Sequence, residues 1–207
     1  MVMRAPQERA KLRRLHARIR ACTKCVAAGY LDAAAPVVAG TITDRVMIVG
    51  QAPGIVEVAT RTPFSGRAGA ELRRWLARAG IGTDDIPYRT SITKCFPGKA
   101  ATGSGDRRPS PPEIALCAPW LDAELALVRP EVILPVGTLA IERLCGKAPL
   151  REVIGRSTRS SALNGALVIP LPHPSGASRW LNQAANKERL ERALRLLARA
   201  WRALQSA

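Results

Sequence analysis

VMIVGQAPGIVEVATRTPFSGRAG, residues 46–69, is the stretch of this 207-residue sequence that decides its fold. Its apolar beginning predicts a buried strand, which leads directly into a Gly/Pro turn at residues 50–54. A strand that ends in a glycine turn presents backbone N–H groups at the carboxyl edge of a sheet, where α/β proteins bind ligands. Gly50 and Gly54 let the backbone approach a ligand closely, and Pro53 stiffens the turn. The stretch therefore predicts a ligand site at a sheet edge.

Apolar periodicity along the rest of the chain predicts strands that alternate with helices. The predicted strands cover residues 46–50, 88–94, 131–136 and 166–170, and the predicted helices cover residues 6–21, 67–80, 113–128, 138–145 and 183–204. This alternation predicts a parallel sheet with helices on both faces, in one domain over residues 1–207. Residues 98–110 are rich in Gly, Ser and Pro and are predicted to form a flexible insertion.

The net charge of the chain is strongly positive, with 32 Lys and Arg against 16 Asp and Glu, or +16. A GC-rich genome would enrich Arg without any functional cause, but an excess of this size attracts polyanions. Nucleic acid is the partner that this charge favours, ahead of an acidic membrane surface. No apolar run approaches the ~20 residues that span a membrane, and the charged N-terminus does not resemble a secretory signal. We therefore expect an intracellular, cytoplasmic protein that associates with the nucleoid.

Five cysteines occur in a chain that is expected to stay in a reducing compartment, where disulfides are rare. Cys22 and Cys25 form a C-x-x-C pair at a helix end, and Cys95 and Cys117 flank the insertion. Four thiolates in this arrangement suit zinc or an Fe–S cluster, with unrelated thiols as the alternative. Cys145 lies on an apolar helix and is predicted to be buried in the core.

One histidine follows a predicted strand and is held between two prolines. His173 lies in the sequence Leu-Pro-His-Pro-Ser, so its backbone is directed toward the same sheet edge as residues 50–54. A turn histidine that is satisfied locally is the alternative. His16 lies on the basic N-terminal helix and is predicted to have no special role. Phe64 offers a flat face on which a base could stack.

Together these motifs resemble those of the uracil-DNA glycosylase superfamily, in particular its iron–sulfur members, families 4 and 5. The order Gly-Gln-Ala-Pro-Gly, then Glu57, Pro-Phe and Gly-x-Ala-Gly resembles the first family motif, and Pro-His-Pro-Ser at 172–175 resembles the second. The resemblance runs from Cys22 to the final helix. It implies a three-layer α/β/α sandwich with a short, mostly parallel sheet. It also implies a [4Fe-4S] cluster on Cys22, Cys25, Cys95 and Cys117, and excision of uracil or a related deaminated base from DNA, which initiates base excision repair.

The resemblance assigns the residues that would bind the base. An extruded uracil would stack on Phe64, with its O2 near His173 and near the amides of Gln51 and Ala52. In the family, the histidine stabilises the departing uracil anion. Ser91 takes the place of an asparagine that reads the uracil edge in family 4, which implies looser discrimination between bases.

The resemblance also implies a DNA-binding surface beside this pocket. Residues implied to press on phosphates are Pro53, Gly54 and Ser175, and the candidates for a wedge into the minor groove are Arg179, Trp180 and Leu181. Burial of Trp180 against the C-terminal helix is the alternative for that residue.

Three departures from the family bear on the mechanism. Gln51 stands where family 4 has a glutamate, and an amide can orient a water but cannot act as a general base. Glu57 is therefore the candidate for water activation, with a simple helix-start acid as the alternative. Arg67 stands where family 5 has an aspartate. The insertion lacks the histidine with which one branch of the superfamily traps the sugar covalently, so turnover or simple binding is expected.

The main hypothesis is a monomeric Fe–S DNA glycosylase that acts on DNA containing uracil or another deaminated base. A non-catalytic binder of damaged or single-stranded DNA on the same fold is the first alternative, favoured by Gln51 and Ser91. An RNA-binding metalloprotein without a glycosylase pocket is the second.

Overall fold

The central sheet has five strands, four of which are parallel. In the computed structural model, which describes residues 6–83, 85, 87–101, 105–175 and 179–206, the strand order is β2-β1-β3-β5-β4. The strands are β1 (Val46–Gly50), β2 (Tyr88–Ser91), β3 (Val132–Pro135), β4 (Thr158–Ser160) and β5 (Ala166–Val168). Strands β2, β1, β3 and β5 run parallel, and β4 pairs antiparallel with β5 at one edge.

Helices connect the strands and cover both faces of the sheet. They are α1 (Pro6–Arg20), α2 (Lys24–Ala27), α3 (Ile55–Thr60), α4 (Arg67–Arg78), α5 (Pro111–Val128), α6 (Thr138–Cys145), α7 (Leu150–Val153) and α8 (Ala184–Gln205). Short 3₁₀ turns cover Ser161–Leu163 and Arg179–Asn182. The long helices and the four parallel strands lie within a few residues of their predicted positions. The antiparallel strand β4 and the short helices α2, α3 and α7 were not predicted.

Two apolar clusters, one on each face of the sheet, make the three-layer α/β/α architecture that the resemblance implied. Side chains alternate between the two faces of a strand, so that Ile48 of β1 belongs to one cluster and Val49 to the other. Helices α4 and α8 pack on the Ile48 face, whereas α1, α5 and α6 pack on the Val49 face. The α/β fold class is therefore confirmed.

Two sequence-based expectations about single residues are wrong. His16 is buried, with 6% of its surface exposed, and its Nε2 lies 2.7 Å from the hydroxyl of Tyr88. This histidine lies on the buried stripe of α1, among Leu12, Leu15 and Ile19. Cys145 is exposed at the end of α6 rather than buried in the core.

The register of the sheet sets where the functional residues meet. Gly50 at the end of β1 pairs with Ser91 at the end of β2, and Val136, just beyond β3, bridges to Leu171, two residues before His173. These segments meet at the carboxyl edge of the sheet, as parallel strands require. None of the helices described by the structure has the length and apolar character needed to cross a bilayer.

Candidate active site

A cavity of about 220 Å³ lies at the carboxyl edge of β1 and β2. Its wall contains most of the residues that the sequence predicted for the site: Gln51, Ala52, Pro53, Gly54, Glu57, Phe64, Ser91 and His173. The fold thus brings two motifs, separated by more than half of the chain, to one opening.

The ring of Phe64 is fixed against the turn by an unusual backbone. Phe64 has a left-handed backbone with φ of 56°, and its carbonyl oxygen accepts a hydrogen bond from Arg73 Nη1 at 2.9 Å. A Cβ atom on Gly50 would lie 2.8 Å from Cζ of Phe64, and one on Gly69 would lie 1.7 Å from the Phe64 carbonyl oxygen. Both glycines are needed because Phe64 occupies the space of a side chain.

The carboxylate of Glu57 holds two backbone segments together. Its Oε2 accepts from the Gly54 N–H and its Oε1 accepts from the Gly66 N–H, each at 3.0 Å. Gly54 precedes α3 and Gly66 precedes α4, so one side chain caps two helices. Each oxygen of Glu57 is therefore already engaged by an amide. This geometry favours the helix-start role that sequence analysis kept as the alternative.

Ser91 lies on the cavity wall, and its hydroxyl hydrogen is already donated in a hydrogen bond within the protein. It is buried, and its Oγ donates to the carbonyl oxygen of Thr93 at 2.8 Å. A hydroxyl has one hydrogen and two lone pairs, so Ser91 is left as an acceptor toward the cavity.

A buried ionic network hydrogen-bonds to the backbone of this wall. Lys94 Nζ lies 2.6 Å from the Ser91 carbonyl oxygen, from Thr90 Oγ1 and from Glu124 Oε2. Lys94 and Glu124 are almost completely buried, at 1% and 0% side-chain exposure. Glu124 also accepts hydrogen bonds from Tyr88 and Thr90. The charges are thus paired and fully hydrogen-bonded, which is the condition for tolerating them in the interior.

His173 is held in one tautomer by the next loop residues. The Ser175 N–H donates to His173 Nδ1 at 3.2 Å, and Ser175 Oγ lies 2.8 Å from the same nitrogen. Because a backbone amide can only donate, Nδ1 is an acceptor and the neutral ring carries its hydrogen on Nε2. Desolvation lowers the pKa of His173 below its usual value, which keeps the ring neutral at pH 7. His173 is therefore a neutral Nε2–H donor on the cavity wall.

Several wall residues were not predicted from the sequence, and Asp106 matters most for chemistry among them. Its Oδ1 accepts from Lys99 Nζ at 2.8 Å, and a Cβ atom on Gly54 would lie 3.1 Å from its Oδ2. Asp106 belongs to the insertion, in which it is the only acidic residue among several basic ones. Gly137 was also missed: it has φ of 84°, and a Cβ there would lie 3.1 Å from Cδ2 of His173.

The insertion makes several contacts in its described part. Lys99 and Asp106 form an isolated antiparallel bridge, the Ala100 N–H donates to the Gly105 carbonyl, and the Arg107 N–H donates to the Gly98 carbonyl. Residues 102–104 lie outside the described part. The flexibility of the insertion stays a prediction.

The residues expected to contact DNA divide into two groups. Pro53 and Gly54 line the cavity, and Ser175 contacts His173. Trp180 and Leu181 are half-buried and pack against the apolar cluster on the α8 face, whereas Arg179 is exposed. Asn186 of α8 donates to the Trp180 carbonyl at 2.8 Å, which ties this turn to the helix. Residues 176–178 of the predicted wedge loop lie outside the described residues.

The four cysteines expected to bind a cluster line a second, separate cavity. Cys22 and Cys25 come from the chain around α2, Cys95 follows β2, and Cys117 lies on α5. Three of these sulfurs accept hydrogen bonds: Cys22 from Trp120 Nε1 at 3.3 Å, Cys117 from the Lys94 N–H at 3.2 Å, and Cys95 from the backbone of Ala35. Such donors stabilise thiolates, but burial outweighs them and, with the neighbouring cysteines, raises the pKa of Cys95 and Cys117 to about 11.

The spacing of these sulfurs bears on which group they fit. Within the described part of the chain, no three His, Cys, Asp or Glu side chains are grouped closely enough to hold a single metal ion. Zinc would draw four sulfurs to about 2.3 Å from one centre. A [4Fe-4S] cluster spaces its four thiolates more widely, because each of them binds a different iron. Four cysteines around one cavity are a donor set that both zinc and an Fe–S cluster take.

Comparison with known proteins agrees with this geometry. The model of the uracil DNA glycosylase superfamily matches residues 38–204. The chain is 33% identical to a type-4 uracil-DNA glycosylase of Thermotoga maritima over 159 residues, which cover 76% of this chain and 78% of that protein. It is 33% identical to a type-4 uracil-DNA glycosylase of Pyrobaculum aerophilum, over 70% of this chain and 67% of that protein. A type-5 uracil-DNA glycosylase of Thermus thermophilus is 34% identical over 52% of each chain.

Proposed function

The chain belongs to the uracil-DNA glycosylase superfamily, and on that premise we propose that it excises uracil, or a related deaminated base, from DNA. The reaction hydrolyses the N-glycosidic bond and leaves an abasic site for base excision repair. The observation that carries the proposal is the single cavity that joins the 50–54 turn, Phe64, Ser91 and His173. All of these walls come from one chain, so a monomer suffices, acting on the DNA inside the cell.

In this proposal the base is recognised by one stacking face and two polar groups. Phe64, fixed in place by Gly50 and Gly69, offers the face on which an extruded base stacks. Ser91 is left as an acceptor by its bond to Thr93. Uracil presents an N3–H donor to such an acceptor, whereas cytosine presents a bare N3, so uracil is preferred.

His173 is proposed to stabilise the departing base. As the glycosidic bond breaks, negative charge accumulates on uracil O2, and the neutral His173 offers it the Nε2–H. The backbone amides of Gln51 and Ala52 line the same wall. Donors placed where charge develops in the transition state each contribute about 10²–10³ in rate.

The attacking water is proposed to be held between Gln51 and a carboxylate. Glu57 lines the cavity, but each of its oxygens is bound by an amide. Asp106 has its Oδ2 beside Gly54 at the same opening, and the hydrogen bond that Asp106 makes to Lys99 within the described residues uses its Oδ1. We propose that Gln51 orients the water and that Asp106 accepts its proton. Glu57 holds the loop between them in position. Asn and Gln substitutions of the two carboxylates separate these assignments, because only the acceptor of the proton shows an altered pH–rate profile.

The DNA strand is proposed to run over the turn and the histidine loop. Pro53 and Gly54 line the cavity, Ser175 contacts His173 and Arg179 is exposed, and we assign these four residues the contacts with the phosphates beside the extruded nucleotide. The excess positive charge of the chain supports non-specific attraction to DNA.

The four cysteines are proposed to hold a [4Fe-4S] cluster with a structural role. When bound, the cluster would cross-link the end of α1 to β2 and α5. The Lys94 N–H and the Trp120 indole would donate hydrogen bonds to the ligand sulfurs. No step of base excision involves this group, since the cavity that binds the base has other walls.

The proposal is tested with labelled oligonucleotides that contain one uracil, followed by alkaline cleavage at abasic sites. We expect the native protein to give cleaved product. His173→Ala should lower the single-turnover rate about 10²–10³-fold, because it removes the donor to O2. The melting temperature of this variant should stay near the native one, since the histidine side chain reaches solvent. Tight binding of the uracil oligonucleotide without any abasic product would favour the non-catalytic binder instead.

A further inference from the structure

Two apolar side chains beside the cavity are exposed without an evident structural reason. Ile55 and Val56 begin α3 and are 53% and 46% exposed. Among the large apolar side chains that the structure describes, the remaining exposed one is Tyr30, at 40%. Single exposed apolar residues are common on protein surfaces, whereas these two are adjacent and lie on the wall of the cavity. Both residues line the cavity that contains Phe64 and His173.

These side chains are presented by a well-anchored backbone. Glu57, in the same short helix, accepts hydrogen bonds from the amides of Gly54 and Gly66. Thr60 Oγ1 donates to the Val56 carbonyl oxygen at 3.0 Å. Ile55 and Val56 are therefore held in place before any ligand arrives, so their burial by a partner loses little conformational entropy.

The position of the pair identifies the partner as DNA. If the cavity receives an extruded base, its mouth faces the duplex from which that base came. Arg61 and Arg67, at the two ends of the segment that follows the pair, are exposed and add positive charge at this face. An apolar pair suits contact with the faces of stacked bases, and flanking arginines suit contact with the phosphate backbones on either side.

Resting on the proposed function, we propose that Ile55 and Val56 form an apolar wedge. It inserts beside the extruded nucleotide and contacts the faces of the neighbouring bases. Extrusion breaks a base pair and its stacking, and an inserted apolar side chain offsets part of that cost. Of the wedge candidates predicted from sequence, Trp180 and Leu181 are half-buried against the apolar cluster of the α8 face and Arg179 is exposed. The wedge contributes only when the base has to leave a base-paired stack. It therefore raises the rate of excision from duplex DNA and not from single strands.

The test compares one uracil in the same sequence as a single strand, opposite guanine and opposite adenine. For the double variant Ile55→Ala/Val56→Ala, we expect the single-turnover rate on the duplexes to fall about tenfold or more relative to the rate on the single strand. The loss should be larger opposite adenine, where the base pair is stronger. Tyr30→Ala removes a comparably exposed apolar side chain outside the cavity wall and should leave this ratio unchanged.

A second measurement reports base extrusion without excision. In a His173→Ala background, 2-aminopurine next to the uracil should brighten when the duplex is bound, because it loses its stacking partner. Adding Ile55→Ala/Val56→Ala should reduce this signal. An equal loss of excision on single and double strands would overturn the wedge, since it would assign the pair to the pocket alone. An unchanged duplex rate would also overturn it. Failure of the native protein to excise uracil from all three substrates would contradict the proposed function, whereas the 2-aminopurine signal would still test the wedge.

Discussion

At the scale of single residues, Gly69 determines whether Phe64 can take its place in the cavity. A methyl group at position 69 would overlap the Phe64 carbonyl oxygen, with its Cβ 1.7 Å away. That neighbour is a backbone atom, so it cannot rotate aside. Alanine is favoured over glycine in a helix by about 0.5–1 kcal/mol, but overpacking costs about 1–3 kcal/mol. At position 69 the cost of overpacking is larger than the gain in helix propensity.

We therefore expect Gly69→Ala to lower the free energy of unfolding by about 2 kcal/mol and to weaken uracil binding, because Phe64 is displaced. Urea denaturation and the Michaelis constant for a uracil oligonucleotide measure the two effects. Gly82→Ala is the matched control, since its Cβ would make an ordinary contact of 3.5 Å with Asp85. Equal stability of the Gly69 and Gly82 variants would contradict this account.

The residues of the site could be predicted from sequence more readily than their roles. The motifs around Gly50 and His173 follow strands, so parallel pairing places them at one edge. A motif names these residues but does not state which of their atoms form hydrogen bonds with one another in the fold. Glu57 is engaged by Gly66, nine residues away, and Asp106 reaches the cavity from an insertion without a recognisable pattern.

At the scale of elements, a chain of buried polar side chains joins α1, β2 and α5. His16 on α1 hydrogen-bonds the hydroxyl of Tyr88 on β2, and Tyr88 donates to Glu124 on α5. Tyr88 therefore accepts from His16, whose Nε2 carries the hydrogen of a neutral ring. Burial, together with the positive charges of Arg20 and Lys94, lowers the pKa of His16 to about 4. The packing of α1 is thus coupled to pH.

The sign of this coupling follows from comparing the folded and unfolded states. The unfolded chain protonates His16 near the usual pKa of about 6.5, whereas the folded chain resists protonation until about pH 4. Stability is therefore fully present above pH 6.5 and is lost as the pH falls through this window, by on the order of 3 kcal/mol. Glu113, whose pKa is lowered to about 2 by Arg107, contributes its own loss mainly below pH 4.5.

We expect His16→Gln to flatten this pH dependence. A glutamine amide can donate to the Tyr88 hydroxyl but does not titrate, so the variant should lose less stability between pH 7 and pH 4.5 than the native chain. Urea denaturation at the two pH values measures the difference. Parallel losses in the two proteins would show that another group is responsible.

The long elements could be predicted because periodicity alone specifies them. Helix α4 has its apolar residues at helical spacing, and β1 is a continuous apolar run, which is typical of a strand buried on both faces. The short strand β4 has no such pattern: two of its three residues are exposed, and its pairing with β5 supplies its structure. His16 was misjudged because basic neighbours hid its place on the buried stripe.

At the scale of the whole molecule, the cysteine cavity connects parts of the chain that are far apart in sequence. Cys22 lies directly after α1, and Cys117 lies within α5. The two helices already pack against each other through the apolar cluster of the Val49 face. A group bound by these cysteines would close a loop of roughly half the chain, which removes entropy from the unfolded state worth on the order of 4 kcal/mol.

We therefore expect the protein purified without oxygen to contain iron and acid-labile sulfide, and Cys117→Ser to lose both. The melting temperature should fall with them, because binding to the folded state alone stabilises it. Cys145→Ser is the control, since that thiol is exposed and lies outside the cysteine cavity. Iron content, visible absorbance and thermal unfolding measure this independently of activity. If the native protein is free of iron, or if Cys117→Ser and Cys145→Ser retain equal iron and melt together, the cluster is not held as proposed.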